Sequence, residues 1–284
     1  MSEPPVEPFI RRILVALDAS SHSLAALEAA VQLAVALHAE LHGIFVEDAD
    51  LLLAADLPFT REIRVFAPAP GAFTSGGMQQ QFRIQAAHAR QALEQAARRT
   101  AVRYTFQVVR GRVALELLAA ASEADLLTLG QAGSSTASRQ KLGGTTRSVL
   151  AQSHGPVLLL RHDLRLGRPV LAVHDGSPLS DRALRLAAQL ALREDTGPLT
   201  VIVLAATAEE AHDRQHAVTE RYSADMEHLH FRPLLLPVVP ARLLEVVRQE
   251  KGGVLVAAAD STFLQEEHLQ HFLATTCCPV LLVR

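Results

Sequence analysis

Residues 11–37, RRILVALDASSHSLAALEAAVQLAVAL, and residues 168–192, RPVLAVHDGSPLSDRALRLAAQLAL, follow one pattern twice, with Asp18 falling on Asp175. Each copy opens with a short apolar run rich in Leu and Val, passes through Asp-x-Ser, and continues as a long apolar periodicity. In the first copy Leu24, Leu27, Val31 and Ala34 recur at helical spacing, so a buried strand feeds directly into an amphipathic helix. In the second, Ser177 is placed to cap the helix and Pro178 sits in its first turn, where a missing N–H costs little. The copies also close alike, HGPVLLLR at 154–161 against CCPVLLVR at 277–284. A chain that repeats itself at this length folds as two similar units.

Between these landmarks strands alternate with helices. Strands are predicted near 12–17, 41–46, 103–109, 125–130 and 157–161, and again near 169–174, 199–205, 231–236, 253–258 and 279–284. Such alternation builds right-handed βαβ crossovers and a parallel sheet covered on both faces. The expected fold is α/β: two tandem, doubly wound, five-stranded parallel-sheet domains of strand order 3-2-1-4-5, packed as a pseudo-dimer. The expected domains are 1–163 and 164–284, joined near HDLRLGR (162–168). Residues 1–10, acidic and Pro-rich, are expected to be a loose tail.

One segment breaks the spacing. Residues 47–81 lie between the second strand and the second helix of the first half, longer than an ordinary connection. Within it, 50–59 carries enough Leu and Ala for a short helix, and the Pro- and Gly-rich stretch 68–77 is expected to be mobile. A lid, a partner-binding arm and a surface excursion of no specific use all remain open for it.

Composition excludes several classes. The net charge of −3, with no basic stripe interleaved with aromatics, offers no footprint for nucleic acid. No apolar run is long enough to span a bilayer, and the amino terminus has no apolar core of a signal peptide. The only cysteines, Cys277 and Cys278, are adjacent, so neither a disulfide framework nor a spaced metal pattern exists. A soluble cytoplasmic protein is expected. The 13 histidines form no HExxH; His212 with His216 and Glu267 with His271 share helix faces but read as solvated pairs. No GxSxG elbow is present, so no catalytic residues are assigned.

The chemistry concentrates at 129–150, LGQAGSSTASRQKLGGTTRSVL, which holds four of the 15 glycines. In an open parallel sheet ligands sit at the carboxyl ends of strands where the winding reverses. Asp18 ends the first strand and Gly130 the fourth, neighbours at that reversal. Glycine admits backbone N–H groups close to an anion, and a helix beginning near Thr145 or Thr146 adds its unpaired amides. Phosphate binding is implied, with the aspartate accepting from a base amino group or a ribose hydroxyl. Arg139, Lys141 and Arg147 place positive charge around the loop. The spacing is neither that of a Walker loop nor GxGxxG.

The pattern GxxG, nine residues, G, read here as Gly130, Gly133 and Gly143 after a strand ending in an acidic residue, resembles the ATP-binding type of the universal stress protein family. RRILVALDAS resembles that family's opening strand, GIFVED its second strand, Gly111-Arg112 the turn into its third helix and GPVLLLR its last strand, so the likeness runs through nearly the whole chain as two tandem domains. It implies that Asp18 and Val46 contact adenine or ribose, Val46 largely through its backbone. Gly130, Gly133, Gly143, Gly144, Thr145 and Thr146 would surround the phosphates of ATP or of AMP or ADP, with Mg2+ as the accompanying ion. The family usually has Ser or Thr directly after the last glycine; this chain has Gly144, which leaves the phosphate count open.

In the second half no glycine occurs between Val254 and Val280, the loop is about five residues shorter, and Glu266 and Glu267 stand near the helix start, where they would repel a phosphate. Asp175 is left with local hydrogen bonding at the strand-to-helix turn. One nucleotide per chain is expected, in the first half. The resemblance implies a stress-response regulatory protein that binds an adenine nucleotide and acts on an unknown protein partner, with a further homodimer open. A nucleotide-independent interaction module with a vestigial site is the alternative, and a slow ATPase comes after it.

Overall fold

The computed structural model describes residues 10–57, 61–62, 71–72, 74–131, 142–161, 163–191, 198–222, 229–261 and 266–284. The first half runs β1 (Arg12–Ala16), α1 (Ser21–Leu37), β2 (Glu40–Asp48), α2 (Ala49–Ala55), β3 (Arg61–Glu62), β4 (Gly71–Ala72), α3 (Ser75–Thr100), β5 (Tyr104–Gly111), α4 (Val113–Ala121), β6 (Leu126–Gly130), α5 (Gly144–Gln152) and β7 (Val157–Leu160). The second runs β8 (Val170–His174), α6 (Pro178–Ala191), β9 (Leu199–Ala205), α7 (Ala208–Tyr222), β10 (Leu229–Leu235), α8 (Pro240–Gln249), β11 (Val254–Ala258), α9 (Glu266–Thr275) and β12 (Val280–Val283).

The strand order is β10-β9-β8-β11-β12-β7-β6-β1-β2-β5. Each half therefore has the anticipated order 3-2-1-4-5. The two sheets are fused into one, however, because β7 and β12 pair antiparallel, Leu158 opposite Leu281. These strands end their own halves and carry only apolar residues, all fully buried, so each covers the other's edge. All other pairings in this sheet are parallel.

The inner strands are buried on both faces, and their side chains divide by parity. Ile13, Val15 and Leu158 join one apolar layer with α1, α3, α6 and α7; Leu14, Leu127 and Leu159 join the other with α4, α5, α8 and α9. Both layers take residues from both halves, and α1 contacts α6 across the junction. Polar ties reinforce the seam: buried Gln131 donates from Nε2 to the Leu273 carbonyl at 2.8 Å, and Arg161 donates to the Ala274 carbonyl at 3.1 Å.

The strand-to-helix turns repeat in detail. Ser20 caps α1, accepting from the Ser23 amide at 3.2 Å, while Asp18 Oδ1 accepts from the Ser20 amide at 3.0 Å. In the second half Ser177 accepts from the Ser180 amide at 3.1 Å and Asp175 Oδ1 from the Ser177 amide at 3.0 Å. Burial works to raise the Asp175 pKa, but hydrogen bonds from Ser177 and Ser180 outweigh it and hold the carboxyl below its usual value. Asp175 thus does locally what its position suggests.

The 47–81 segment departs from expectation. Its short helix is α2, capped by Asp48, whose Oδ1 accepts from the Asp50 amide at 2.9 Å. A two-stranded pairing of β3 with β4 follows, which the sequence does not announce. Residues 75–77 are not loop: α3 begins at Ser75, because the Thr74 hydroxyl accepts from the Gly77 amide and opens the helix two glycines early. The remainder of 68–77, at 68–70 and 73, and residues 1–9 of the tail lie outside the described residues.

Of the two cysteines Cys277 is exposed and Cys278 buried. Burial pushes the Cys278 thiol up to about 12, so it packs as a small apolar side chain.

Candidate ligand site

β1 is where the winding reverses: β2 and β5 lie to one side of it, β6 and β7 to the other. At the carboxyl ends of β1, β2 and β6 the structure opens a cavity of about 370 Å³. Its inner wall is apolar, with Leu17, Ile44, Val46, Leu117 and Leu129 among the lining residues. Polar atoms enter from Asp18 and Ser23 after β1, Asp48 at the end of β2, and Thr145 and Thr146 on α5. The two carboxylates are the only charged side chains lining it among the described residues.

Five of the eight sequence-predicted residues therefore meet here: Asp18, Val46, Gly130, Thr145 and Thr146. Of the other three, Gly143 and Gly144 are not among its lining residues. Gly133, with Arg139 and Lys141, lies outside the described residues. Gly143 caps α5 and spends its amide on the Gln131 carbonyl at 2.9 Å, which closes the base of the glycine-rich loop. Gly144 and Arg147 line a separate groove between α5 and α9. A β-carbon on Gly144 would meet nothing within 4 Å, so the space for the hydroxyl usual at this position is present without the hydroxyl.

Two of the five have structural duties. The Thr146 hydroxyl donates to the Gly130 carbonyl at 3.1 Å, tying the start of α5 to the end of β6. Gly130 is bare because α1 crosses it: a β-carbon there would lie 2.8 Å from His22 Cβ and 2.9 Å from the His22 carbonyl carbon. Its lack of a side chain is already accounted for by packing. Among the described residues no side chain caps the amino end of α5, and its first-turn amides are directed beyond the helix.

The sequence reading missed the wall supplied by the 47–81 segment and the helix that follows. Leu51 of α2 and Met78, Gln81, Phe82 and Gln85 of α3 all line the cavity. Phe82 is anchored edge-on against Phe45, ring centroids 6.3 Å apart. The spacing 78, 81, 82, 85 is itself a helical stripe, the signal that would have placed this face inward. Among the described residues no group of three or more His, Cys, Asp or Glu is close enough to hold a metal, and no helix is long and apolar enough to cross a membrane.

Comparison with known proteins agrees with this architecture. Among solved structures, a universal stress protein from Archaeoglobus fulgidus DSM 4304 superposes with a TM-score of 0.72 at 17% identity, covering 96% of this chain and 98% of its own. A functionally unknown protein from Pseudomonas aeruginosa PAO1 gives 0.59 at 13% identity, covering 99% and 94%. These likenesses establish the fold over both halves. No curated protein matches the chain. The family model described as the universal stress protein family matches residues 10–161, more than half of the sequence and the whole span that builds the cavity. With that match joined to the repeated doubly wound fold, the chain belongs to the universal stress protein family.

Proposed function

We propose that the first half binds an adenine nucleotide and that this occupancy regulates a stress response through a protein partner. Residues 1–163 form the ligand-binding domain and 164–284 a companion domain without a phosphate loop. The observation that carries the reading is the cavity at the switch point, which sets an apolar wall beside the Asp18 carboxylate and the end of β2 at Val46. A planar base fits such a wall, with its amino group donating to Asp18 or to strand backbone and the ribose hydroxyls reaching Asp18 or Asp48.

The donor set suits the nucleoside part of the ligand. With two carboxylates lining the cavity, a phosphate chain is directed out of it, toward the start of α5. ATP, ADP and AMP share the base and ribose; Mg2+ would accompany the polyphosphate forms, which supply its oxygens.

Calorimetric titration and thermal shift with ATP, ADP, AMP and adenosine test this. One site per chain is expected, with adenosine itself producing a shift. Asp18→Asn should weaken adenosine binding at least about tenfold, the loss of a charge-assisted hydrogen bond, because its amide oxygen still serves the Ser20 amide but the charge is gone. Absence of heat and shift with all four ligands at millimolar concentration would leave the family's fold without this function. The nucleotide-independent reading rests on Gly130, whose bareness needs no ligand, and on Gly144; partner capture unchanged by added nucleotide would favour it.

A further inference from the structure

The repeat allows the second crevice to be compared with the first, residue by residue. Ala16 pairs with Ile44 in the first half and its counterpart Val173 with Ile202 in the second, so Val46 corresponds to Leu204 and Ala19 to Gly176. At this place the second half presents a side chain of its own. Arg214 of α7 donates through Nη1 to the Leu204 carbonyl, while Nη2 is held by Glu210 at 2.6 Å. The guanidinium is largely covered, its side chain 23% exposed.

Gly176 shows that the turn is shaped around this arginine. A β-carbon at Gly176 would lie 2.8 Å from Arg214 Nε and 3.1 Å from Nη2. The residue has φ +82, and that alone favours glycine. Yet Ala19 holds the same turn at φ 61 in the first half with its β-carbon in place. The copies differ in that angle and in the arginine, on which a β-carbon at 176 would press.

We infer that the second crevice is a self-liganded site: the Arg214 guanidinium, a planar cation rich in donors, occupies the position opposite the Leu204 carbonyl that a base amino group would take opposite Val46. The comparison with a base rests on the reading proposed for the first half; the guanidinium site itself does not. The companion domain is thereby closed without any soluble ligand, and a single chain carries one responsive crevice and one that is permanently filled.

The test uses the full chain and methylguanidinium as probe. Arg214→Ala removes a charge-assisted bond to a backbone carbonyl, and the melting temperature should fall by roughly 5 °C. Low-millimolar methylguanidinium should then recover roughly 2 °C in the variant while leaving the wild type unmoved. Gly176→Ala should also lower the melting temperature in the wild-type background but cost far less once Arg214 is Ala, since the clash has gone. Should Arg214→Ala not fold, Arg214→Lys replaces it in the same cycle: the ammonium lacks the fork that packs on the turn. Unchanged stability of the arginine variant, equal probe response in both proteins, or additive effects of the two sites would each overturn the inference. None of these readouts involves nucleotide, so failure of the first-half reading would show separately, as a wild type that ignores adenosine.

Discussion

Gly130→Ala is expected to lower the stability of the ligand-free protein by about 2–3 kcal/mol, because the new methyl group meets the backbone of α1 and not the tip of a flexible side chain. The nearest atoms are His22 Cβ at 2.8 Å and the His22 carbonyl carbon and oxygen at 2.9 and 3.0 Å. Relief requires α1 to lift from the end of β6, and α1 begins with the Asp18-Ser20 turn that lines the cavity, so nucleotide binding should weaken in parallel. Thermal unfolding without ligand distinguishes two causes for this glycine. If it were there only to admit a phosphate, the apo protein would melt like the wild type.

The larger effect is expected at Gly253, directly before β11 in the second half. The connection between the halves passes directly over it: the Gly253 amide donates to the Pro169 carbonyl at 2.8 Å, and the Gly167 amide donates to the Gly253 carbonyl at 3.1 Å. A β-carbon at 253 would lie 1.8 Å from the Gly167 carbonyl carbon and 2.0 Å from the Arg168 nitrogen. Backbone set against backbone has no rotamer to yield. Gly253→Ala should cost roughly 3–5 kcal/mol and lower the melting temperature by on the order of 10 °C. A variant that melts within a degree or two of the wild type would mean that the linker is not strapped to β11 in this way.

The fold was legible because the chain states it twice. A strand-turn-helix with Asp and Ser at fixed offsets, repeated at 18 and 175 and closed each time by Pro and an apolar run, leaves few arrangements to consider. The fusion of the sheets was less visible. That β7 and β12 are apolar at every position says they are buried, but nothing in their sequence tells an antiparallel partner from a covering helix. In the site, Asp18 followed from a strand end at the winding reversal, which sequence order determines, while Val46 came only with the family resemblance.

Other features of the site were written less plainly. The part of the wall from α2 has no counterpart in the second copy, where α7 follows β9 directly, and Thr74 opens α3 within a stretch whose Pro and Gly content reads as loop. A bare Cα is required equally by a ligand and by a crossing helix, so Gly130 could not disclose which; only the His22 contact does. Gly143 belongs to the pattern that the resemblance sets around phosphates, and its own amide donates to the Gln131 carbonyl, which no sequence pattern shows. Arg214 illustrates the same limit: within AEEAHDRQHAVTERY one arginine resembles any other on a polar helix, and its distinction lies in meeting the Leu204 carbonyl on β9, the strand next to the one that runs into Asp175.

The central claim is that an adenine ring sits at the carboxyl ends of β1, β2 and β6 in the first half. A crystal structure of the full chain grown with ATP tests it most directly. Density for the base is expected between Val46 and Leu129, with its amino edge or the ribose within hydrogen-bonding distance of Asp18 and the phosphates leaving toward α5. An adenine bound elsewhere on the chain, or this cavity filled by the protein's own side chains as Arg214 fills the second, would contradict it.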